Sequence, residues 1–195
     1  MKTLSEIHSG ARVLLHTSIL LFARWGVSPE CRALIRRCQG KAVQGVITPF
    51  ILAEFCDQRM RQEAQAKGFF STPYQPIAGR EEVVMNRPEF PSSGDIHDRS
   101  LLNMSDNPEI IRNLTIYADD TRALLSGELE LASVHPEDFL EALFLQKMHG
   151  LTTTDSINLA IARRLGIAEI AAADHAFDSV QGLIVYRPRD FKTRP

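Results

Sequence analysis

Three acidic residues stand at positions where local sequence signals end one element and begin the next: Glu54, Asp155 and Asp174. Glu54 comes shortly after Thr48-Pro49, a cap-plus-proline helix start. Asp155 closes the run Thr152 to Asp155, which caps another helix. Asp174 follows the Ile- and Ala-rich run 167–173. Carboxylates gathered in one crevice repel each other unless a cation neutralises them. Oxygen donors of this kind suit Mg²⁺ or Mn²⁺. Such an ion activates water and stabilises charge on a phosphodiester during in-line attack. Each acid also has a purely structural explanation. Asp155 and Glu54 could each complement a helix dipole, worth about 0.3–1 kcal/mol, and Asp174 could cap the turn at His175–Phe177. Spacing alone does not establish that the three meet.

The elements that must position these acids are legible as an alternation. Arg12 to Leu15 is a short apolar run ending in the small polar Thr17 and Ser18, a buried strand and its turn. Ile19 to Trp25 opens a helix. Ser28-Pro29-Glu30 starts the next, which runs to about Cys38 and ends near Gly40. Val43 to Ile47 is a second strand, followed by a helix from Phe50 to Lys67 that Gly68 closes. Ile51, Leu52, Phe55 and Met60 trace the apolar side of that helix, with Arg59, Arg61 and Glu63 largely opposite. One helix is expected from Asn107 to about Leu125, and a third strand over Leu129 to Val134. Helices are expected from His135 to His149 and from Thr152 to Leu165. The last two strands are Ile167 to Ala173 and Leu183 to Tyr186. Strands alternating with helices imply βαβ crossovers, a mostly parallel sheet and helices on both faces. Sites in such sheets lie beyond the carboxyl ends of the strands, which is where His16, Thr17, Ser18 and Asp174 fall.

Bulk properties bound the rest. With 195 residues, 44% hydrophobic and 24% charged, the chain suits one globular domain over 1–195. Residues 69–109 interrupt the alternation and hold five prolines, Pro73, Pro76, Pro88, Pro91 and Pro108. They read as an elaborated Pro-rich insertion, since loops this long are uncommon in compact domains. No apolar stretch approaches the roughly 20 residues of a membrane helix, and the N-terminus lacks the apolar core of a signal peptide. A cytoplasmic protein without membrane contact is the expectation. Cys31, Cys38 and Cys56 lack framework spacing and read as reduced thiols, mostly small core residues. A net charge of −2 announces no global field for nucleic acid. Local basic clusters are Arg32, Arg36, Arg37 and Lys41; Arg163 and Arg164; and Arg187, Arg189, Lys192 and Arg194. They could contact phosphate or simply be solvated faces.

In order and spacing these pieces resemble the PIN-domain family. Leu14-Leu15-His16-Thr17-Ser18 resembles its opening strand end. Thr48 to Glu54 is similar to its second-strand exit and glutamate. Thr154 to Ala162 looks like its Asp-initiated helix. Ala173-Asp174-His175-Ala176-Phe177, followed by Gly182 to Pro188, resembles its closing block, the most specific of the four. The resemblance covers about 10–68 and 129–188. It implies an α/β fold: a three-layer α/β/α sandwich around a mostly parallel sheet of about five strands. It further implies a divalent-metal-dependent endoribonuclease acting on single-stranded RNA, in many small bacterial members a VapC-type toxin neutralised by an antitoxin. Carried over by position, Glu54, Asp155 and Asp174 would hold the metal and Asp178 would add outer charge. Thr17 and Ser18 would contact a metal-bound water or phosphate, and basic residues such as Arg163 would steer RNA. A homodimer is the default assembly.

Two positions depart from the family pattern. The first acid is His16 here, and the hydroxyl residue two before the last acid is Ala172. Neutral imidazole ligates Mn²⁺ or Zn²⁺ and suits Mg²⁺ poorly. His16 is therefore either an altered ligand or the mark of a PIN fold kept for binding RNA or protein after its catalytic site decayed. A plain nucleotide-binding domain is disfavoured, since no Gly-rich phosphate loop follows any strand.

Overall fold

The short apolar runs become the strands of one six-stranded sheet in a computed structural model that describes residues 2–69, 104 and 107–190. The strands are β1 (Lys2–Thr3), β2 (Arg12–Leu15), β3 (Gln44–Ile47), β4 (Glu130–Leu131), β5 (Glu169–Ala171) and β6 (Ile184–Arg187). Their order is β1-β6-β5-β2-β3-β4, and every pairing is parallel. The α/β sandwich expected from the sequence is thus observed, with one more strand than expected. The two residues of β1 are too short to carry a periodic signal, and only their pairing with Tyr186 and Arg187 defines them.

The helices are α1 (Thr17–Trp25), α2 (Pro29–Gln39), α3 (Pro49–Ala66), α4 (Pro108–Arg112), α5 (Ile116–Leu125), α6 (Pro136–His149) and α7 (Thr153–Arg164). Their ends carry the expected chemistry. Ser28 accepts from the Cys31 amide and Pro29 fills the first turn of α2. Gly26 and Gly150 close α1 and α6 with left-handed backbone that residues with a Cβ adopt at a cost.

The chain divides into two compact units, Met1–Phe55 with Thr121–Pro195, and Cys56–Asp120. The first contains the whole sheet and a core built from β2, β3 and β5 with α1, α2, the start of α3, α6 and α7, including Leu14, Leu15, Ile19, Leu34, Ile47, Ile51, Phe55, Leu145, Leu159, Ile161 and Phe177. Cys31 and Cys38 are buried in it as free thiols. The second has its own small cluster of Ala64, Met104 and Leu114.

Two expectations fail inside the second unit. The single helix from Asn107 is two helices, because Asn113 folds back to bond the Glu109 carbonyl and the Glu63 carboxylate accepts from the Thr115 and Tyr117 amides. Glu63 thereby starts α5 afresh. Arg59 and Glu63, expected on the solvent face of α3, are buried. Arg59 meets Asp120 at 2.6 Å and Glu63 meets Lys67 at 2.8 Å, so charge pairing and capping outweigh the binary pattern. Most of the Pro-rich insertion, and Lys192 and Arg194, lie outside the described residues.

Gly45 in β3 is where the core tolerates no side chain. A Cβ there would lie 2.8 Å from Leu129 Cδ2 and 2.9 Å from both Cys38 Sγ and Leu15 Cδ1. Gly45→Val should destabilise the protein by about 1–3 kcal/mol through overpacking, read as a lower urea midpoint with an unchanged m-value.

Candidate functional site

Strand β2 is the point at which the sheet changes direction. From β2 the chain moves to β3 and β4 on one side, then returns to β5 and β6 on the other. Crevices outside the carboxyl ends of strands at such a reversal are where α/β sheets bind ligands. His16 leaves the end of β2 still held to β5, its amide donating to the Ala171 carbonyl at 2.9 Å. This places the imidazole next to the exit of β5, where Asp174 stands three residues beyond the strand.

The His16 ring lies between two acids. Nε2 is 3.1 Å from Asp155 Oδ1, and Nδ1 is 3.0 Å from Asp174 Oδ2. The ring is buried and packs edge-to-face with Phe177, centroids 5.7 Å apart. Burial alone would push its pKa down. The hydrogen bonds and charges of Asp155 and Asp174 outweigh burial and raise it to about 10. Imidazolium is therefore the form at neutral pH, with both nitrogens donating. Asp174 shows the reciprocal effect: burial would raise its pKa, but the bond to His16 holds it well below the ordinary carboxylate range.

Hydroxyl groups fix the acids. Thr17 donates to Glu54 Oε2 at 2.6 Å, tying α1 to α3. Ser18 accepts from the Ala173 amide at 3.0 Å and reaches Asp174 Oδ2 at 3.4 Å. Thr152 caps α7 by accepting from the Asp155 amide, and its own hydroxyl donates to Asp155 Oδ2 at 2.7 Å. The structural roles considered for Asp155 and Asp174 are thus real: Asp155 sits in a capped first turn, and Asp174 Oδ1 accepts from the Ala176 amide, whereas Glu54 lies beyond the first turn of α3.

Not every expected residue joins them. Asp178 pairs with Arg187 and His175, so its charge is already matched. Arg163 pairs with Glu141 on α6 at 3.2 Å. Arg187, grouped by sequence with a basic tail, is buried and donates twice to the Asp174 carbonyl, at 3.1 and 3.0 Å. It positions the backbone of the last acid. The link from Thr48 to Asn158, 2.6 Å and fully buried, similarly pins the exit of β3 to α7. Its signal in the sequence was a lone amide within the apolar stripe of that helix.

Among the described residues, no three His, Cys, Asp or Glu side chains converge to chelate a metal ion. The His16 ring stands between the two aspartates. The donors suit a divalent ion in kind: Asp155 and Asp174 flank one imidazolium, and Glu54 is held through Thr17, the residue next to His16. That single positive charge stands in where the acids call for more.

Comparison with solved structures places the fold. A chain of the VapBC2 complex from Rickettsia felis, bound to a DNA fragment from its promoter, matches with a TM-score of 0.51 at 12% identity, covering 91% of this chain and 98% of that one. VapC20 of Mycobacterium tuberculosis, a Sarcin-Ricin loop cleaving toxin, matches with a TM-score of 0.50 at 15% identity, covering 90% and 99%. No family model matches the sequence. No curated protein matches it either. The likeness is one of fold, and the fold is PIN-like.

The His16 arrangement has a pH signature. Its folded pKa, about 10, lies above the ordinary 6.5, so its contribution to stability is complete below pH 6.5 and is lost as pH rises through about 10. Asp174 contributes in the opposite sense, with stability present above its ordinary 3.8 and lost as pH falls through the depressed value. His16→Leu leaves the buried Asp155 and the half-exposed Asp174 without their cation and, with solvent screening at Asp174, should cost about 1–3 kcal/mol at pH 7. Urea denaturation across pH 5–10 should show the gap between native and variant closing at the alkaline end. A gap independent of pH would mean that His16 is held uncharged.

Proposed function

We propose, from a PIN-like fold with its acids gathered where the sheet reverses direction, that this chain is a PIN-type endoribonuclease of the toxin–antitoxin kind. Its substrate is single-stranded RNA, its cofactor Mn²⁺ or Mg²⁺, and its regulator an antitoxin-type protein. The observation that carries this reading is the convergence of Asp155 and Asp174 on one point with Glu54 held nearby through Thr17. The likeness in fold to VapC20, a Sarcin-Ricin loop cleaving toxin, supports it. No helix among the described residues is long and apolar enough to cross a membrane.

Asp155 and Asp174 would hold the ion, with Glu54 completing the carboxylate set and a neutral His16 as a nitrogen donor that favours Mn²⁺ over Mg²⁺. When bound, the ion supplies a charge that activates water and stabilises the phosphodiester under attack. The chain's own residues prepare that chemistry. Thr17 orients Glu54, Thr152 orients Asp155, and Arg187 fixes the Asp174 backbone. Ser18, which touches both Asp174 and the β5 exit, directs its hydroxyl at the same place and is suited to a phosphate oxygen.

A second reading rests on one specific observation: the His16 ring already bonds both aspartates. In that reading imidazolium replaces the metal permanently, and the chain is a PIN-fold binding module for RNA or protein.

Cleavage of end-labelled single-stranded RNA separates the two. With Mn²⁺, the native protein should cut. Chelator should abolish cutting, Asp155→Asn should reduce it at least about 100-fold, and His16→Asp should restore use of Mg²⁺. No cutting by the native protein, with cutting by His16→Asp, would overturn the nuclease reading in favour of the binding module.

A further inference from the structure

Helix α7 sets two polar side chains over the ends of two neighbouring strands. In β2 and β3, Leu14 lies beside Val46, so His16 and Thr48, each the first residue past its strand, leave the sheet side by side. Asp155 and Asn158 stand one helical turn apart on α7 and share a face, about 5–6 Å from one another at Cβ. Neighbouring strands run about 4.8 Å apart. The two spacings match, and each side chain meets one strand end. Asp155 Oδ1 lies 3.1 Å from His16 Nε2, and Asn158 Oδ1 accepts from the Thr48 hydroxyl at 2.6 Å.

The second contact also governs where α3 begins. Thr48 Oγ1 accepts from the Ile51 amide at 3.1 Å while its own proton goes to Asn158, so one hydroxyl caps α3 and joins it to α7. Further along α3, Glu54 receives the Thr17 hydroxyl. Asp155 and Glu54 are therefore carried by two helices that Thr48 and Asn158 fasten at a single point. Packing does not call for an amide there. Thr48 and Asn158 are fully buried, and among the described residues the Thr48 hydroxyl is the one hydrogen-bond partner of the Asn158 side chain. The neighbours Ile157, Leu159 and Ile161 show what α7 otherwise buries. An amide in such a place is less favourable than an apolar group of the same shape unless its bond is made. What it adds is direction, which apolar contact lacks.

We infer that Asn158, acting through the Thr48 hydroxyl, is a positioning residue: it sets α7 and α3 in register across the strand ends, so that Asp155 meets His16 and Glu54 comes within reach of Thr17. Its service to RNA cleavage rests on the function proposed above. The positioning itself is a matter of geometry and holds whether the cluster takes a metal ion or keeps its imidazolium.

Nitrogen-15 NMR of the His16 ring, recorded on the full chain without RNA or metal, tests the positioning. Thr48→Val keeps the shape of the side chain and removes its hydroxyl, whereas Thr48→Ser keeps the hydroxyl. Asn158→Leu and the smaller Asn158→Ala remove the acceptor, and circular dichroism identifies the variants that are folded. Thr48→Val and the Asn158 variants should displace the Nε2 resonance, which faces Asp155, more than the Nδ1 resonance, which faces Asp174. Thr48→Ser should leave both in place. Equal displacement of the two resonances, none at all, or a Thr48→Ser spectrum like that of Thr48→Val would overturn the inference, as would a loss of stability with the ring unmoved. In RNA cleavage with Mn²⁺, Thr48→Val should lower kcat about 10–100-fold with KM little changed, and Thr48→Ser should restore it. A native protein that does not cut counts against the nuclease reading alone, since the ring resonances decide the positioning without it.

Discussion

Everything at the carboxyl edge of the sheet is arranged around one electrostatic requirement: neighbouring carboxylates must share a positive charge. Asp155 and Asp174 arrive from different elements, α7 and the segment after β5, and their approach would be repulsive without the imidazolium of His16 between them. The ring can hold that position because its own amide continues the ladder between β2 and β5. Strand pairing, ring placement and acid convergence are therefore a single arrangement. Moving β5 relative to β2 would separate the charges, and removing the charge would push the elements apart.

Hydroxyl groups and one guanidinium extend this arrangement outward. Thr17, Ser18 and Thr152 each satisfy a carboxylate oxygen, and two of them also accept a backbone amide at an element end. Such groups are small enough to fit a crowded edge, and each ties an acid to the element that carries it. Arg187 reaches from β6 to the carbonyl of Asp174, so the position of the last acid depends on a strand outside the site. Rigid elements surround the acids on every side from which they come, which is the condition for a preorganised site.

The alternation of short apolar runs with capped helices made the parallel sheet readable, because buried parallel strands and proline-started helices leave local marks. Ser28-Pro29 and Thr48-Pro49 placed two helix starts within a residue. What was not readable depended on partners distant in the chain. Arg59 and Glu63 look solvent-facing by periodicity, and only Asp120, Lys67 and the amides of α5 explain their burial. The break at Asn113 has the same origin. At the site, residue order identified the acids, but the sequence held no indication that His16 would bond both aspartates or that Arg187 would brace one of them. Those are contacts across more than a hundred residues in one case and between two elements of irregular spacing in the other. Asp178 and Arg163 were reasonable candidates by position and are committed to ion pairs of their own.

The placement of β1 has a bearing on how the chain reaches this state. Among the described residues its two residues pair with Tyr186 and Arg187, about 180 positions away in the chain. Strands β2 and β3 are close in sequence, whereas β5 and β6, and with them the acid after β5 and the arginine that braces it, lie more than a hundred residues further on. Pairing over such separations carries a large loop-closure entropy and slows folding. His16 and the two aspartates are separated by more than a hundred residues, so bringing their charges together carries this closure entropy as well.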